Sequence, residues 1–202
     1  EKEKIFNHIE TINNNNDVGL SFSKCKVIKE NKVYSVKDNV YIDRYLGSNK
    51  NLFEILLKGN FIFISSVIFK KKLYKKNIYI NCLLEYAEDY DLLLNYSKIS
   101  QYNYINKKLV YYRIHSQNLS NNLIYKNLDE ILLILNSHLP NIIVKKAILY
   151  QLSLYFLKYL LTFKLKSFFK LVIKNKNPFK ILIGIYYLLI NKLTIFFVKK
   201  IF

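Results

Sequence analysis

The apolar pattern changes character near residue 120, and that change constrains the architecture more than any single motif. Before it, apolar runs are short, alternating or β-branched, and separated by polar turns. After it, apolar residues continue at helical spacing to the last residues of the chain. A chain of 202 residues with this break is expected to form a mixed α/β domain over residues 1–120, followed by a basic helical extension over 121–202. Hydrophobic residues make up 51% of the sequence, enough to give the first part a core.

Ile5, Ile9 and Ile12 place an amphipathic helix over residues 2–12, which Asn13–Asn16 and Asp17 end. Val18-Gly19-Leu20-Ser21-Phe22 alternates like a strand. Lys29-Glu30-Asn31-Lys32 is turn-like, and Val33-Tyr34-Ser35-Val36 is expected to pair with the segment after it. Residues 37–49 are polar and irregular. Asn51–Leu57 predicts a short helix that Gly59 ends as a C-cap. Phe61–Phe69, bounded by Gly59 and Lys70–Lys72, predicts a buried nine-residue strand. A helix over Asp89–Ser97 precedes two short strands, Tyr102–Ile105 and Leu109–His115. The extension predicts helices over Leu123–Leu135, from Pro140 to about Lys164 with Pro140 at the first helical position, over Ser167–Lys174, and from Pro178 onward.

The formal charge of +18 is unevenly spread. Residues 1–120 hold 19 Lys or Arg against 12 Asp or Glu, whereas residues 121–202 hold 13 Lys against Asp129 and Glu130, with no acid after Glu130. Such a tail calls for an anionic surface. Lipid is favoured over nucleic acid, because the lysines are spread through apolar helices and no nucleic-acid motif occurs. Asn191 and Lys192 interrupt the last apolar stretch, so it reads as a helix lying in a membrane interface with Lys180, Lys192, Lys199 and Lys200 near headgroups. A core helix or an oligomer contact satisfies the same pattern. Cys25 and Cys82 are too few for a disulfide framework or a zinc site, which fits a reducing cytoplasm. No signal-peptide pattern opens the sequence.

Against this basic background, Glu85, Glu88, Asp89 and Asp91 fall within seven residues and run into Leu92-Leu93-Leu94. Carboxylates at a helix start meet unpaired N–H groups and partial positive charge, so these are expected to be fixed and ionised. Helix capping alone accounts for an acidic first turn. The neighbouring segments supply a second reading.

Three stretches lie in order: Lys58-Gly59-Asn60-Phe61-Ile62 with Ser65-Ser66-Val67-Ile68-Phe69; Tyr86-Ala87-Glu88-Asp89-Tyr90-Asp91-Leu92; and Leu109-Val110-Tyr111-Tyr112-Arg113-Ile114-His115 with Asn118-Leu119-Ser120. Together they resemble the C-terminal half of a family 2 glycosyltransferase of the GT-A fold. The likeness covers about residues 1–120 and is most specific in Glu-Asp-Tyr-Asp-Leu followed some twenty residues later by Tyr-Arg-Ile-His.

The resemblance implies a partial GT-A-like mixed sheet with flanking helices. It also implies inverting transfer from a nucleotide-diphosphate sugar to a glycan or lipid-linked acceptor. Asp89 would be the general base that takes the acceptor's hydroxyl proton, and Glu88 would shape the pocket or contact the acceptor. Gly59 and Asn60 would face donor sugar and acceptor, Gly59 by permitting close backbone approach and Asn60 by offering a donor and an acceptor to sugar hydroxyls. Asp91 would brace the loop, with helix capping as its equal alternative. Arg113 would neutralise phosphate charge, and His115 would ligate the metal or a phosphate oxygen. A C-cap followed by an ordinary turn also explains Gly59-Asn60, and a structural role also explains His115.

The family's Asp-x-Asp motif, which binds Mg²⁺ or Mn²⁺ on the donor diphosphate, does not precede residue 18, and Lys24 stands beside Ser23 where relatives often have an acid. Residues 1–202 are therefore expected to carry the acceptor and base side without the donor side, and to be inactive alone. The leading expectation is a glycosyltransferase portion on the cytoplasmic membrane face, in cell-surface polysaccharide synthesis. The competing expectation is a non-catalytic membrane-surface binding protein with a degenerate glycosyltransferase head.

Overall fold

The computed structural model describes residues 1–29, 32–35, 51–74, 80–115 and 124–161. The chain divides into two compact units, Glu1–Leu123 and Ile124–Phe202.

The first unit is mixed α/β. Its elements are α1 (Lys4–Asn14), β1 (Val18–Lys29), β2 (Lys32–Ser35), α2 (Leu52–Leu56), a 3₁₀ turn (Ile64–Ser66), β3 (Val67–Phe69), α3 (Lys71–Tyr74), α4 (Glu88–Ile99) and β4 (Gln101–Ile114). Among the described residues all strand pairing runs through β1. Its first half pairs antiparallel with β3, from Leu20 opposite Phe69 to Phe22 opposite Val67. The last residues of β1 pair antiparallel with β2 on the same edge, Lys26 opposite Ser35 through Lys29 opposite Lys32. The other edge takes β4 in parallel along its whole length. Among the described residues the sheet has four strands, and it is three wide only where β2 or β3 flanks β1.

Alternation along β1 explains how its faces are covered. Ser21 turns toward α1, where its hydroxyl shares a 2.7 Å hydrogen bond with His8 Nδ1, and both residues are fully buried. Phe22 turns the other way and meets the rings of Phe61, Tyr102 and Tyr104 at centroid distances of 6.3, 6.0 and 5.4 Å. Gly19 has no space for a side chain: a Cβ there would collide with Leu73 and Ser100, so α3 and the end of α4 close directly onto β1. The core is completed by Leu20, Ile55, Leu56, Leu57, Leu93, Leu94 and Tyr96, each buried to within 1%. Burial of each such side chain contributes about 1.5–3 kcal/mol.

Three strand expectations need correction. Residues 33–35 pair with the segment before them, because Lys29 and Lys32 close a hairpin on β1. The expected strand Phe61–Phe69 is a strand only from Val67. Asn60 Oδ1 accepts the Ile62 N–H at 3.0 Å, and the Ser66 hydroxyl bonds back to the Phe63 carbonyl at 2.7 Å. Side chain–backbone bonds of this kind compete with a ladder. The two short strands after α4 are one, β4, whose register against β1 slips between Ser23 and Lys24 and again between Lys24 and Cys25. The first of these irregularities absorbs the polar residues Asn106 and Lys107, which read in the sequence as a break, and the second absorbs Leu109.

In the second unit, α5 (Ile124–Ser137) and α6 (Ile142–Leu161) form a helical hairpin in which Leu128 and Leu152 pack with Leu132, Ile148 and Tyr155. Pro140 does not open α6. It lies in the turn, and Asn141 Oδ1 accepts the Ile143 N–H at 2.8 Å at the helix start. No helix among the described residues is long and apolar enough to cross a membrane. The irregular segment 37–49, the helix Ser167–Lys174 and the interfacial helix from Pro178 lie outside the described residues.

Candidate functional site

The acidic segment opens α4, and its first turn holds Glu88, Asp89 and Asp91. The cap residue, Ala87, offers no side-chain acceptor, so the first helical N–H groups need one from elsewhere. Asp89 supplies it: its carboxylate accepts from its own N–H and from that of Tyr90. Capping and a chemical role are therefore compatible at this residue.

Asp89 accepts a third hydrogen bond, from the side chain of Asn60. Asn60 is held in turn, since its Oδ1 takes the Ile62 N–H and its amide nitrogen is left for Asp89. Gly59 sets up this turn with φ of 142°, a conformation that side chains resist, while its N–H bonds to the Leu56 carbonyl at 2.8 Å. Gly59, Asn60 and Asp89, thirty residues apart in sequence, thus meet at one place.

At Asp89 burial opposes the helix-start effect. Burial, and then repulsion from Glu88, push its pKa from 3.8 to about 6, against the three hydrogen bonds that lower it. The group is still mainly charged at neutral pH, and it is a stronger base than an ordinary carboxylate. Glu88 contributes a second feature: its Oε2 is buried and has no hydrogen-bond partner.

Asp91 turns elsewhere. Its carboxylate accepts from Asn95 Nδ2 at 3.3 Å and faces Lys98, whose ammonium lies 5.1 Å from the centroid of the Phe53 ring. Burial raises the pKa of Asp91, with Asn95 and Lys98 opposing. Those contacts join α4 to α2 and run along the helix, away from the Asp89–Asn60 pair.

Arg113 and His115 belong to the far end of the strand that α4 leads into. Arg113 is exposed and stands opposite Ile28. Its neighbour Tyr112 lies with its ring 4.6 Å from that of Phe63, and alternation sends Arg113 to the opposite face. His115 is exposed one residue past the strand, so alternation does not fix its direction. Among the described residues no group of three or more His, Cys, Asp or Glu side chains converges to hold a metal ion.

Sequence reasoning missed Tyr90. Its hydroxyl, buried in the core, donates to the Leu56 carbonyl at 2.9 Å. The spacing of Tyr90, Leu93, Leu94 and Ser97 marks one inward helix face and is the signal that could have found it.

No protein-family model matches the chain, and no curated protein matches it significantly.

Proposed function

We propose that residues 1–120 carry the acceptor and general-base side of an inverting glycosyl-transfer site, with Asp89 as the base. One observation carries the reading: a carboxylate at a helix start, its pKa raised to about 6, is held by the amide of Asn60 beside a positive-φ glycine. In that reading an acceptor hydroxyl gives its proton to Asp89 as its oxygen bonds to the anomeric carbon. The bond from that carbon to the diphosphate breaks on the opposite side, and the configuration inverts. The unpartnered Oε2 of Glu88 is then an acceptor for a second sugar hydroxyl. A divalent ion bound with the donor would supply charge neutralisation at the leaving diphosphate, and no step assigned to these residues passes through it.

The donor is a nucleotide-diphosphate sugar and the acceptor a glycan or lipid-linked glycan, at the cytoplasmic face of a membrane that the basic helical unit contacts. The test is a chromosomal Asp89→Asn substitution with isotope-labelled sugar fed to the cells. Incorporation into the chain's glycan product should fall roughly 10²- to 10⁴-fold, with the protein still folded and membrane-bound. Glycan profiles identical to those of the parent would sink the reading.

A further inference from the structure

The turn between α5 and α6 exposes an unusual combination of side chains. Inward, α6 buries Val144 and Ala147 on the side that carries Ile148 and Gln151. Outward, its first turns present Ile142, 63% exposed, and Ile143, 39% exposed, and between and beside them the exposed Lys145 and Lys146. Leu139, 40% exposed, lies in the turn itself, and Leu133, 61% exposed, stands one turn back from the end of α5. Asp129 and Glu130, the last acids of the chain, lie about two turns back along α5 from this corner. The corner is therefore both apolar and basic, with nothing acidic after it in sequence.

Three anionic partners have enough charge to meet the lysines, and their apolar chemistry separates them. A nucleic-acid duplex offers phosphate but no apolar volume for aliphatic side chains, and the corner has no arginine or aromatic residue to read bases. An acidic peptide meets the lysines and leaves Ile142 and Ile143 in water unless it brings a matching apolar face. An anionic bilayer offers both at one depth: phosphates at the level of the ammonium groups, and acyl chains a few ångströms beneath for the aliphatic tips.

We infer that the α5–α6 corner, Leu139–Lys146, is a contact site for an anionic lipid surface. No described helix is long and apolar enough to cross a membrane, and the contact inferred is with the lipid surface. The inference deepens the proposed membrane placement. It does not depend on chemistry at Asp89, so loss of sugar transfer and loss of lipid contact are separate outcomes.

The chain contains no tryptophan, so one introduced tryptophan is a site-specific reporter. I142W is placed in the full chain, and I64W, at a 40%-exposed position of the first unit, is the control. Both are mixed with vesicles of phosphatidylglycerol and phosphatidylcholine carrying brominated acyl chains, and with vesicles of phosphatidylcholine alone. With the anionic vesicles I142W emission should shift to the blue and be quenched by bromine, whereas I64W should do neither. Adding Lys145→Gln and Lys146→Gln should weaken that partition by roughly tenfold or more, and phosphatidylcholine alone should give no shift. I142W emission that stays at the solvent wavelength, unquenched, would overturn the inference whether or not the protein sediments with the vesicles. A shift seen with duplex DNA or polyglutamate but absent with vesicles would overturn it too.

Discussion

Tyr90 and Leu56 share a buried hydrogen bond, hydroxyl to carbonyl, of 2.9 Å. The same carbonyl accepts the Gly59 N–H at 2.8 Å, so the neighbour of Asp89 and the neighbour of Asn60 converge on one acceptor. Tyr90→Phe removes one of the two donors and leaves the carbonyl partnered. We expect a stability loss of about 0.5–1.5 kcal/mol in urea titration, and an upward drift of the Asp89 pKa as its partner loosens. Carboxyl ¹³C NMR checks the second effect. A stability loss with Asp89 titration unmoved would leave Tyr90 a purely structural residue.

Asn60→Ala acts on the pair directly. The Asn60 side chain is one of three hydrogen bonds holding the Asp89 pKa down against burial and Glu88. Its removal should raise that pKa above about 6, read in the same NMR titration. A fall would contradict the geometry.

Asp89→Asn should stabilise the fold at neutral pH. Asp89 titrates at 3.8 when unfolded and about 6 when folded, so between those values the folded state keeps a proton that the unfolded state has released. Stability contributed by this group therefore falls as pH rises from about 4 to 6, and the cost persists above. The asparagine variant escapes it, with a gain of roughly 1–3 kcal/mol at pH 7 that shrinks toward zero near pH 4. Denaturant midpoints across that range measure the trend.

The acidic helix start, the glycine turn and the mixed α/β character of the first unit were legible because each rests on local chemistry: Glu88 and Asp89 at orphan N–H groups, Gly59 at a positive φ, and apolar alternation in Val18–Phe22. What was not legible depends on distant partners. The residues Phe61–Ile64 look like a strand by composition, yet the bonds of Asn60 and Ser66 to nearby backbone fold them into turns. The raised pKa of Asp89 arises from packing around α4, where the local helix-start argument points the other way.

Gly59→Ala places a Cβ at φ of 142°. The strain should cost about 1–2 kcal/mol, and any relaxation displaces Asn60 from Asp89. Thermal melts give the first quantity, and an altered Asp89 pKa reports the second.

His8 responds to acid in the opposite sense to Asp89. Burial, with Lys4 adding repulsion, lowers its pKa from 6.5 to about 4. Below about pH 6.5 the unfolded chain takes up a proton that the folded chain refuses, so stability falls as pH drops toward 4. His8→Gln should flatten that part of the stability–pH curve while leaving the Asp89 part, as followed by urea titration.

The parallel pairing of β1 with β4 joins Val18 to Gln101 at one end and Lys29 to Ile114 at the other. The whole span between must be drawn in before a single rung of that ladder forms, and loop-closure entropy is lost ahead of any return. Folding of the first unit should therefore be slow for its size, with the β1–β2 hairpin able to form early and the β4 edge closing last. During that interval the β4 flank of β1 is open to neighbouring chains, so synthesis at high concentration carries an aggregation hazard that the finished sheet does not.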